Sequence, residues 1–153
     1  MLAPGAAFPD AMLPDPEGAS QVLSQAWSRG AALLVVGHAD CGTTRLALPS
    51  LERLHARGGN VAAILQDDAE TARELASELG LTLPIRLEFD PYPLSTALGV
   101  EVVPSYYLVG RDGAVVRTAE GFSRDELEAF AGALGVGGRL FAVDEPGPRY
   151  RPG

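Results

Sequence analysis

The sequence predicts an α/β fold with a parallel β-sheet at its centre. Ala31–Val36 is an apolar segment with the character of a strand buried on both faces, and Val61–Leu65 is a second short apolar strand. Each is followed by a segment with helical spacing, and this alternation is typical of right-handed crossovers around a parallel sheet. The 153 residues have the size of one domain, and no internal repeat is found.

The composition argues against several classes of function. A hydrophobic fraction of 46% is that of an ordinary globular protein. The net charge of −8 disfavours a surface for nucleic acid or anionic membranes. All 12 basic residues are Arg, so Schiff-base chemistry and a P-loop lysine are both excluded. No apolar run reaches the roughly 18 residues of a membrane span. No signal-peptide pattern is found at the N-terminus, so we expect a cytoplasmic protein.

The only cysteine is Cys41, which rules out an internal disulfide and a metal cluster built from cysteines alone. His38 lies on the same local turn, but two ligands are fewer than the three or four that a metal site needs. We therefore expect neither a metal ion nor another cofactor.

The N-terminal region should contain a lead-in and one helix before the first central strand. Pro4–Ser20 has four prolines and a DPEG turn, which is typical of an extended lead-in or a short hairpin. Ser20–Arg29 carries apolar residues at helical spacing after a Ser N-cap. This pattern predicts a helix that ends at Gly30.

The stretch Leu33–Pro49 runs from a strand through a polar turn into a helix predicted over Thr43–Arg57. Cys41 is thereby placed at the N-terminal end of that helix, where free backbone N–H groups and the helix dipole favour a thiolate. A further helix is predicted over Ala69–Leu79, with Asp67 or Asp68 as its cap.

The second half of the chain predicts a hairpin and a last helix. A tight turn at 111–113 separates two strand-like segments, and Ser123 with Glu126 forms a capping box before the helix. We predict strands at Ile85–Phe89, Ser105–Val109 and Ala114–Thr118, and a short helix at Leu94–Leu98. The tail Glu145–Gly153 should be mobile or lie on the surface. Its Arg149–Arg151 is either a contact motif or, as we favour, ordinary exposed chain.

Motifs in a characteristic order and spacing run through residues 5–134. Cys41, Arg45 and Pro49 occupy the places of the first cysteine, the arginine and the proline in a WCxPCRxExP motif. Further matches are the lead-in residues Gly5, Pro9, Asp10, Leu13, Asp15 and Gly18, then Asp90, the segment VVPSYYLVGRDG at 102–113, and Gly121. On these residues the chain resembles the TlpA/ResA and AhpC/TSA branch of the thioredoxin-like superfamily.

The resemblance implies a thioredoxin-like fold, in which helices flank a central mixed sheet. The whole chain, 1–153, would be one such domain, with a core at about 5–134 and a C-terminal tail over 135–153. Pro104 would be a cis-proline facing Cys41, the alternative being an ordinary trans-proline at a strand edge. Val103, the residue before it, would present backbone groups to a bound peptide.

The chain departs from the motif where a dithiol enzyme needs its second thiol. Thr44 replaces the second cysteine, Asp40 the Trp and Ala47 the Glu, and Val35 stands where a polar or acidic residue is usual. Because a dithiol enzyme resolves its mixed disulfide with the second thiol, an internal two-cysteine cycle is impossible here.

Opposing effects act on the reactivity of Cys41. The helix N-terminus lowers the pKa of its thiol, and the Thr44 hydroxyl could donate a hydrogen bond to the thiolate. Asp40 places a negative charge next to the thiol, and His38 helps only when it is protonated or well placed. Both a reactive thiol and an unreactive thiol packed in the turn remain open.

The sequence favours a monothiol redox protein, in which Cys41 exchanges with a disulfide and an external thiol resolves the product. We expect Cys41, Thr44 and Pro104 to form the catalytic set. The expected substrate contacts are Val103, Gly42, Thr43, Asp40 and Arg45. The partner would be a protein disulfide, a protein thiol or a small-molecule thiol.

Two alternatives stay open. One is a redox-inactive binding module that holds an extended peptide or partner protein. The other is a weak one-cysteine thiol peroxidase, although Leu34 and His38 replace the Pro and Thr of the peroxiredoxin PxxxTxxC pattern. The C-G-x-T pattern of glutathione peroxidases does match, but Trp27 precedes Cys41, so the later Trp–Asn pair of that family is missing.

Overall fold

Nine strands and four α-helices follow one another along residues 1–153, all of which the computed structural model describes. The strands are β1 (Met12–Pro14), β2 (Ser20–Val22), β3 (Ala32–Gly37), β4 (Val61–Leu65), β5 (Ile85–Leu87), β6 (Ser105–Val109), β7 (Val115–Glu120), β8 (Phe122–Ser123) and β9 (Tyr150–Arg151). The α-helices are α1 (Gly42–Ala56), α2 (Ala69–Leu79), α3 (Pro93–Leu98) and α4 (Arg124–Ala133). No helix combines the length and the apolar character that a membrane span requires.

The central sheet is mixed, as the resemblance implied. Its five strands lie in the order β5–β4–β3–β6–β7. β3 pairs with β4 and β4 with β5 in parallel, whereas β6 is antiparallel to both β3 and β7. All six residues of β3 are buried, because strands flank it on both edges and side chains cover both faces.

Two apolar layers cover the faces of the sheet. The larger core packs α1, α2 and α4 on one face, and fully buried Leu51, Leu75 and Phe130 contribute one side chain from each helix. The smaller core packs α3, Phe8 and Trp27 on the other face. Each strand of the sheet centre is therefore held from two sides, which fixes the position at which β3 ends and α1 begins.

Most predicted elements agree with the structure to within one or two residues. The helix predicted over Thr43–Arg57 spans Gly42–Ala56, and the predicted bounds of β4, α2 and β6 are confirmed. Ser123 caps α4, since its hydroxyl accepts the N–H of Glu126 at 3.3 Å. Gly80 ends α2 in the left-handed conformation at φ 67°.

The helix predicted over Ser20–Arg29 is wrong. Ser20–Val22 is strand β2 and pairs antiparallel with β1, so the lead-in forms the short hairpin that was one of its two predicted forms. Only Leu23–Trp27 is helical, as a 3-10 turn. That turn suffices to bury Leu23 and Trp27, while β1 supplies backbone hydrogen-bond partners to the residues before them.

One of the two predicted forms of the tail Glu145–Gly153, a position on the surface, is confirmed. Its last residues lie on the surface, but they have defined partners, because β9 pairs antiparallel with β8 and the N–H of Arg124 donates to the carbonyl of Arg149 at 2.9 Å. Leu140 and Phe141, earlier in the tail, are buried in the larger core. Arg149–Arg151 are exposed, as the favoured interpretation had them, but their backbone is paired with the body of the protein.

Glu52 ties α1 to the segment that precedes β5. Its carboxylate accepts the N–H of Thr82 at 2.7 Å, the hydroxyl of Thr82 at 2.6 Å and the N–H of Leu83 at 2.8 Å. Burial raises the pKa of Glu52, but these hydrogen bonds outweigh it, so the pKa lies below its ordinary value.

We expect Glu52→Gln to lower the free energy of unfolding at neutral pH by about 1 kcal/mol, because one charge-assisted acceptor is lost. The folded-state pKa is the lower one, so this stabilisation is present above the unfolded-state pKa and disappears as the pH falls through the folded-state pKa. Urea denaturation from neutral pH down to about pH 3 should therefore show the difference between the two proteins shrinking in acid. Glu74→Gln, at an exposed position of α2, is the control and should match the wild type.

Candidate active site

Cys41 occupies the N-cap position of α1. The strand β3 ends at Gly37, and the turn that follows is closed by a hydrogen bond from the N–H of Cys41 to the carbonyl of His38 at 3.0 Å. The Cys41 backbone is extended, its carbonyl accepts the N–H of Arg45, and its sulfur accepts the N–H of Thr44 at 3.5 Å. The thiol thus takes the place of an ordinary capping oxygen, immediately before the first turn of the helix.

The loop before β6 faces this cysteine. The Val103–Pro104 peptide bond is cis, which confirms the expected cis-proline. The Cys41 thiol donates to the carbonyl oxygen of Val103 at 3.4 Å, across 62 residues of sequence. The carbonyl of Pro104 in turn accepts the N–H of Gly121 at 2.8 Å. The expected proximity of the two motifs is therefore present.

Thr44 is packed beneath the cysteine and is only 1% exposed. Its hydroxyl accepts the N–H of His38 at 3.4 Å. Its methyl group lies so close to β3 that a β-carbon on Gly37 would come within 2.7 Å of it. Glycine at position 37 thus allows Thr44 to fill the site where the related motif has its second cysteine.

The surroundings of Cys41 favour its thiolate. Burial raises the pKa of the thiol, but the N–H and hydroxyl of Thr44, the N–H of Thr43 and the charge of Arg151 outweigh it. The net result is a pKa below the ordinary cysteine value. Sequence reasoning missed the contribution of Arg151 to the lowered pKa of Cys41.

The turn between β3 and α1 is braced by Asp67, whose side chain is 5% exposed. Its Oδ2 accepts the N–H of Ala39 at 3.0 Å, and its Oδ1 lies 3.7 Å from Nδ1 of His38. Burial raises the pKa of Asp67, with smaller increases from Asp40 and Asp68. The sequence offered Asp67 and Asp68 as alternative helix caps; Asp68 caps α2, and Asp67 holds the cysteine turn.

The expected substrate contacts fall into different environments. Gly42 and Thr43 form the first turn of α1 beside Cys41, and Asp40 is exposed on the preceding turn. Arg45 is engaged within the protein, since Nε donates to the carbonyl of Ala39 at 2.7 Å and Nη1 to Glu78 at 2.9 Å. Arg45 therefore joins the cysteine turn to α2.

A buried phenol lies in the strand next to β3. Tyr106 is opposite Val35 in the pairing of β6 with β3, it stacks on Phe130, and its hydroxyl has no hydrogen-bond partner. Burial, and to a smaller extent the charge of Cys41, raise the pKa of Tyr106 well above its ordinary value. It is therefore a neutral phenol at physiological pH.

The end of the chain reaches the same site. The hydroxyl of Thr43 donates to the carbonyl of Pro152 at 2.8 Å. The Arg151 guanidinium lies over Gly42, where a β-carbon would come within 3.0 Å of its Nη2. The two arginines of Arg149–Arg151 in an acidic chain are the one sequence signal for this arrangement, but nothing in the local pattern indicated their partner.

We expect Thr44→Val to raise the pKa of Cys41, because the methyl group that replaces the hydroxyl cannot stabilise a thiolate, while the backbone N–H remains. Thiolate ultraviolet absorbance against pH measures this pKa, with Cys41→Ser as the blank. Thr118→Val on β7 is the matched control. An unchanged titration midpoint in Thr44→Val would contradict the role given to the hydroxyl.

Comparison with solved structures supports a thioredoxin-like fold. The thioredoxin domain of a thiol-disulfide oxidoreductase from Bacteroides vulgatus is 20% identical with a TM-score of 0.71, covering 83% of this chain and 94% of that one. A secreted Mycobacterium tuberculosis disulfide oxidoreductase homologous to E. coli DsbE is 19% identical, with a TM-score of 0.70 and coverage of 81% and 96%. Peroxidoxin BcpB from Mycobacterium tuberculosis is 17% identical, with a TM-score of 0.71 and coverage of 88% and 99%.

The sequence itself assigns the family. No curated protein matches the chain. The family model for AhpC/TSA, however, matches residues 4–118, which include β3, the Cys41 turn, α1 and the cis-proline strand β6. Since this match covers well over half of the sequence, the chain belongs to the AhpC/TSA family.

Proposed function

We propose that this protein carries out thiol–disulfide exchange with a single thiol, Cys41, and that an external thiol completes the cycle. The observation that carries the proposal is the placement of Cys41 at the N-cap of α1, where its pKa is lowered and its thiol faces the carbonyl of Val103. The sequence offers no second cysteine for an internal cycle.

The proposed reaction has two displacement steps. The Cys41 thiolate attacks one sulfur of a disulfide, forms a mixed disulfide with it, and releases the other sulfur as a thiolate that takes up a proton. An external thiolate then attacks the substrate sulfur of the mixed disulfide. That step releases Cys41 as a thiolate and forms a new disulfide between the substrate sulfur and the external thiol. The oxidation state of Cys41 is therefore the same before and after the cycle.

The residues around the sulfur have distinct parts in this proposal. Thr44 stabilises the thiolate through its N–H and hydroxyl, and the first turn of α1 at Gly42 and Thr43 directs its N–H groups to the same place. The Val103 carbonyl orients the thiol, and Pro104 holds that carbonyl opposite the helix. Arg45 positions the turn rather than touching a substrate.

Family membership favours a second candidate, a one-cysteine thiol peroxidase. In that reaction the Cys41 thiolate breaks the O–O bond of a peroxide, becomes a sulfenic acid and releases water or an alcohol; two external thiols then reduce it. Oxidation of Cys41 by hydrogen peroxide that is much faster than its exchange with disulfides would favour this reaction. A Cys41 that reacts with neither oxidant would favour the redox-inactive binding module.

We expect the wild-type protein to react with dithiobis(nitrobenzoate) by releasing a single thionitrobenzoate per chain and keeping the other as a stable mixed disulfide on Cys41. In Thr44→Cys, the second thiol is carried by residue 44 in the first turn of α1. In the wild-type protein the backbone N–H of this residue donates to the Cys41 sulfur, so the two sulfurs are close. This variant should release both thionitrobenzoates and end with an internal disulfide. Absorbance of the released product and intact mass measure the two outcomes.

Thr118→Cys is the control for the added thiol, because it adds a cysteine on β7 without the Cys-x-x-Cys spacing. It should form separate mixed disulfides at its two cysteines. The proposal would be contradicted if the wild-type adduct were lost without an added thiol, or if the folded wild-type chain did not react while the unfolded chain did.

A further inference from the structure

We propose that the segment Arg149–Gly153 is a built-in part of the Cys41 site that closes it to extended peptides, so that the substrates are small-molecule disulfides and thiols. This inference rests on the proposed thiol chemistry and specifies its substrate class.

The segment lies along the backbone that faces Cys41. A β-carbon on Gly153 would come within 2.6 Å of the Val103 carbonyl oxygen, the same atom that accepts the Cys41 thiol. It would also come within 3.3 Å of the Val102 side chain. The space beside this carbonyl is therefore filled by the chain itself, and an extended peptide that reached the sulfur along Val103 would clash with it.

The segment also spans the gap between α1 and the hairpin strands. On one side, the carbonyl oxygen of Pro152 accepts a hydrogen bond from the hydroxyl of Thr43 at 2.8 Å. On the other side, a β-carbon on Gly121 would come within 2.7 Å of the Arg151 carbonyl oxygen and 3.2 Å of the Pro152 α-carbon. Gly121 has φ +74°, and its N–H donates to the Pro104 carbonyl, so the cis-proline loop and the segment pack against one glycine.

The chain leading to the segment is held by a buried arginine. Arg124 is 6% exposed, and its guanidinium donates to four carbonyls, those of Glu145, Pro146, Gly147 and Pro148, at 2.9–3.2 Å. The guanidinium also lies 5.1 Å from the centre of the Phe141 ring. A buried charge needs all of these partners, so the path of the tail into the site is specified by the fold.

The segment also supplies a positive charge to the thiol. Arg151 lies over Gly42, the residue after Cys41, and lowers the pKa of the thiol. The other ionisable groups nearby are Asp40, His38 and Asp67 at the cysteine turn and Tyr106 in β6. Arg151 is the cation among them that acts on the Cys41 thiolate, and we assign it the role of a positioning residue.

The steric part is tested with Gly153→Val in the full chain, since the added side chain must move the segment away from Val103 in an exposed region. Rates of mixed-disulfide formation on Cys41 are measured with bis(hydroxyethyl) disulfide and with insulin. Gly137→Val, in the open part of the tail, is the matched control. We expect the ratio of the insulin rate to the small-disulfide rate to rise by about tenfold in Gly153→Val and to stay unchanged in the control, a factor that corresponds to about 1.4 kcal/mol.

Two other results would distinguish failure of the proposed closure from failure of the proposed thiol chemistry. A wild-type chain that reacts with both disulfides, with a rate ratio that Gly153→Val leaves unchanged, would overturn the proposed closure and leave the thiol chemistry standing. If neither folded protein reacted with either disulfide, although the unfolded chains did, the proposed function itself would fail.

A double variant, Thr43→Val with Gly153→Val, also removes the hydrogen bond from the Thr43 hydroxyl to the Pro152 carbonyl. It should raise the ratio of the insulin rate to the small-disulfide rate at least as far as Gly153→Val alone.

The electrostatic part is tested with Arg151→Met, and Arg149→Met is the control because Arg149 pairs with Asp125 at 3.0 Å. The rate of Cys41 alkylation by iodoacetamide against pH reports the pKa of the thiol. We expect the midpoint to move upward in Arg151→Met, to return in Arg151→Lys, and to stay at the wild-type value in Arg149→Met. Equal midpoints in all four proteins would overturn the role of Arg151.

Discussion

The contact between the Cys41 thiol and the Val103 carbonyl, at 3.4 Å, is the point on which the rest of the site depends. It joins the β3–α1 unit of the first half of the chain to the cis-proline loop of the second half. The antiparallel pairing of β3 with β6 brings these parts together, because Val36 at the end of β3 lies opposite Ser105 at the start of β6. The two residues that matter chemically are thus placed by a register that the buried centre of the sheet fixes.

The residues that replace the usual dithiol partners form a consistent set. Thr44 fills its position tightly against Gly37, and its hydroxyl and N–H support the sulfur of Cys41. Because residue 35 is valine, β3 lacks the buried polar or acidic side chain of the related motif at this position. The neighbouring Tyr106 is a neutral phenol in the same core. A site of this kind keeps the features that stabilise a thiolate and lacks the thiol that would resolve it, which suits an exchange step completed from outside.

Much of this fold was predictable from sequence because its signals are local. The bounds of β4, α2 and β6 follow from apolar runs, caps and turn residues that lie within each segment. The cysteine at the start of α1 and the cis-proline followed from two motifs and their order. The one wrong element is the helix over Ser20–Arg29, since pairing with β1 makes Ser20–Val22 a strand. What the sequence did not indicate are the distant partners of side chains, such as the Ala39 N–H for Asp67 and the Glu78 carboxylate for Arg45. No local pattern specifies which distant group a side chain will meet.

The tail shows most clearly how a distant partner changes the meaning of a sequence. Gly and Pro residues suggested an end that is mobile or lies on the surface, and that composition does disfavour helices and long strands. Arg124 compensates by donating to the free carbonyls that such a chain exposes, so that burial of its charge and ordering of the tail occur together. Because the same chain then packs on Gly121 and on the Val103 carbonyl, the environment of Cys41 includes residues more than 100 positions away in sequence. The environment of this thiol is therefore a property of the whole fold, and the Cys41 motif alone does not determine it.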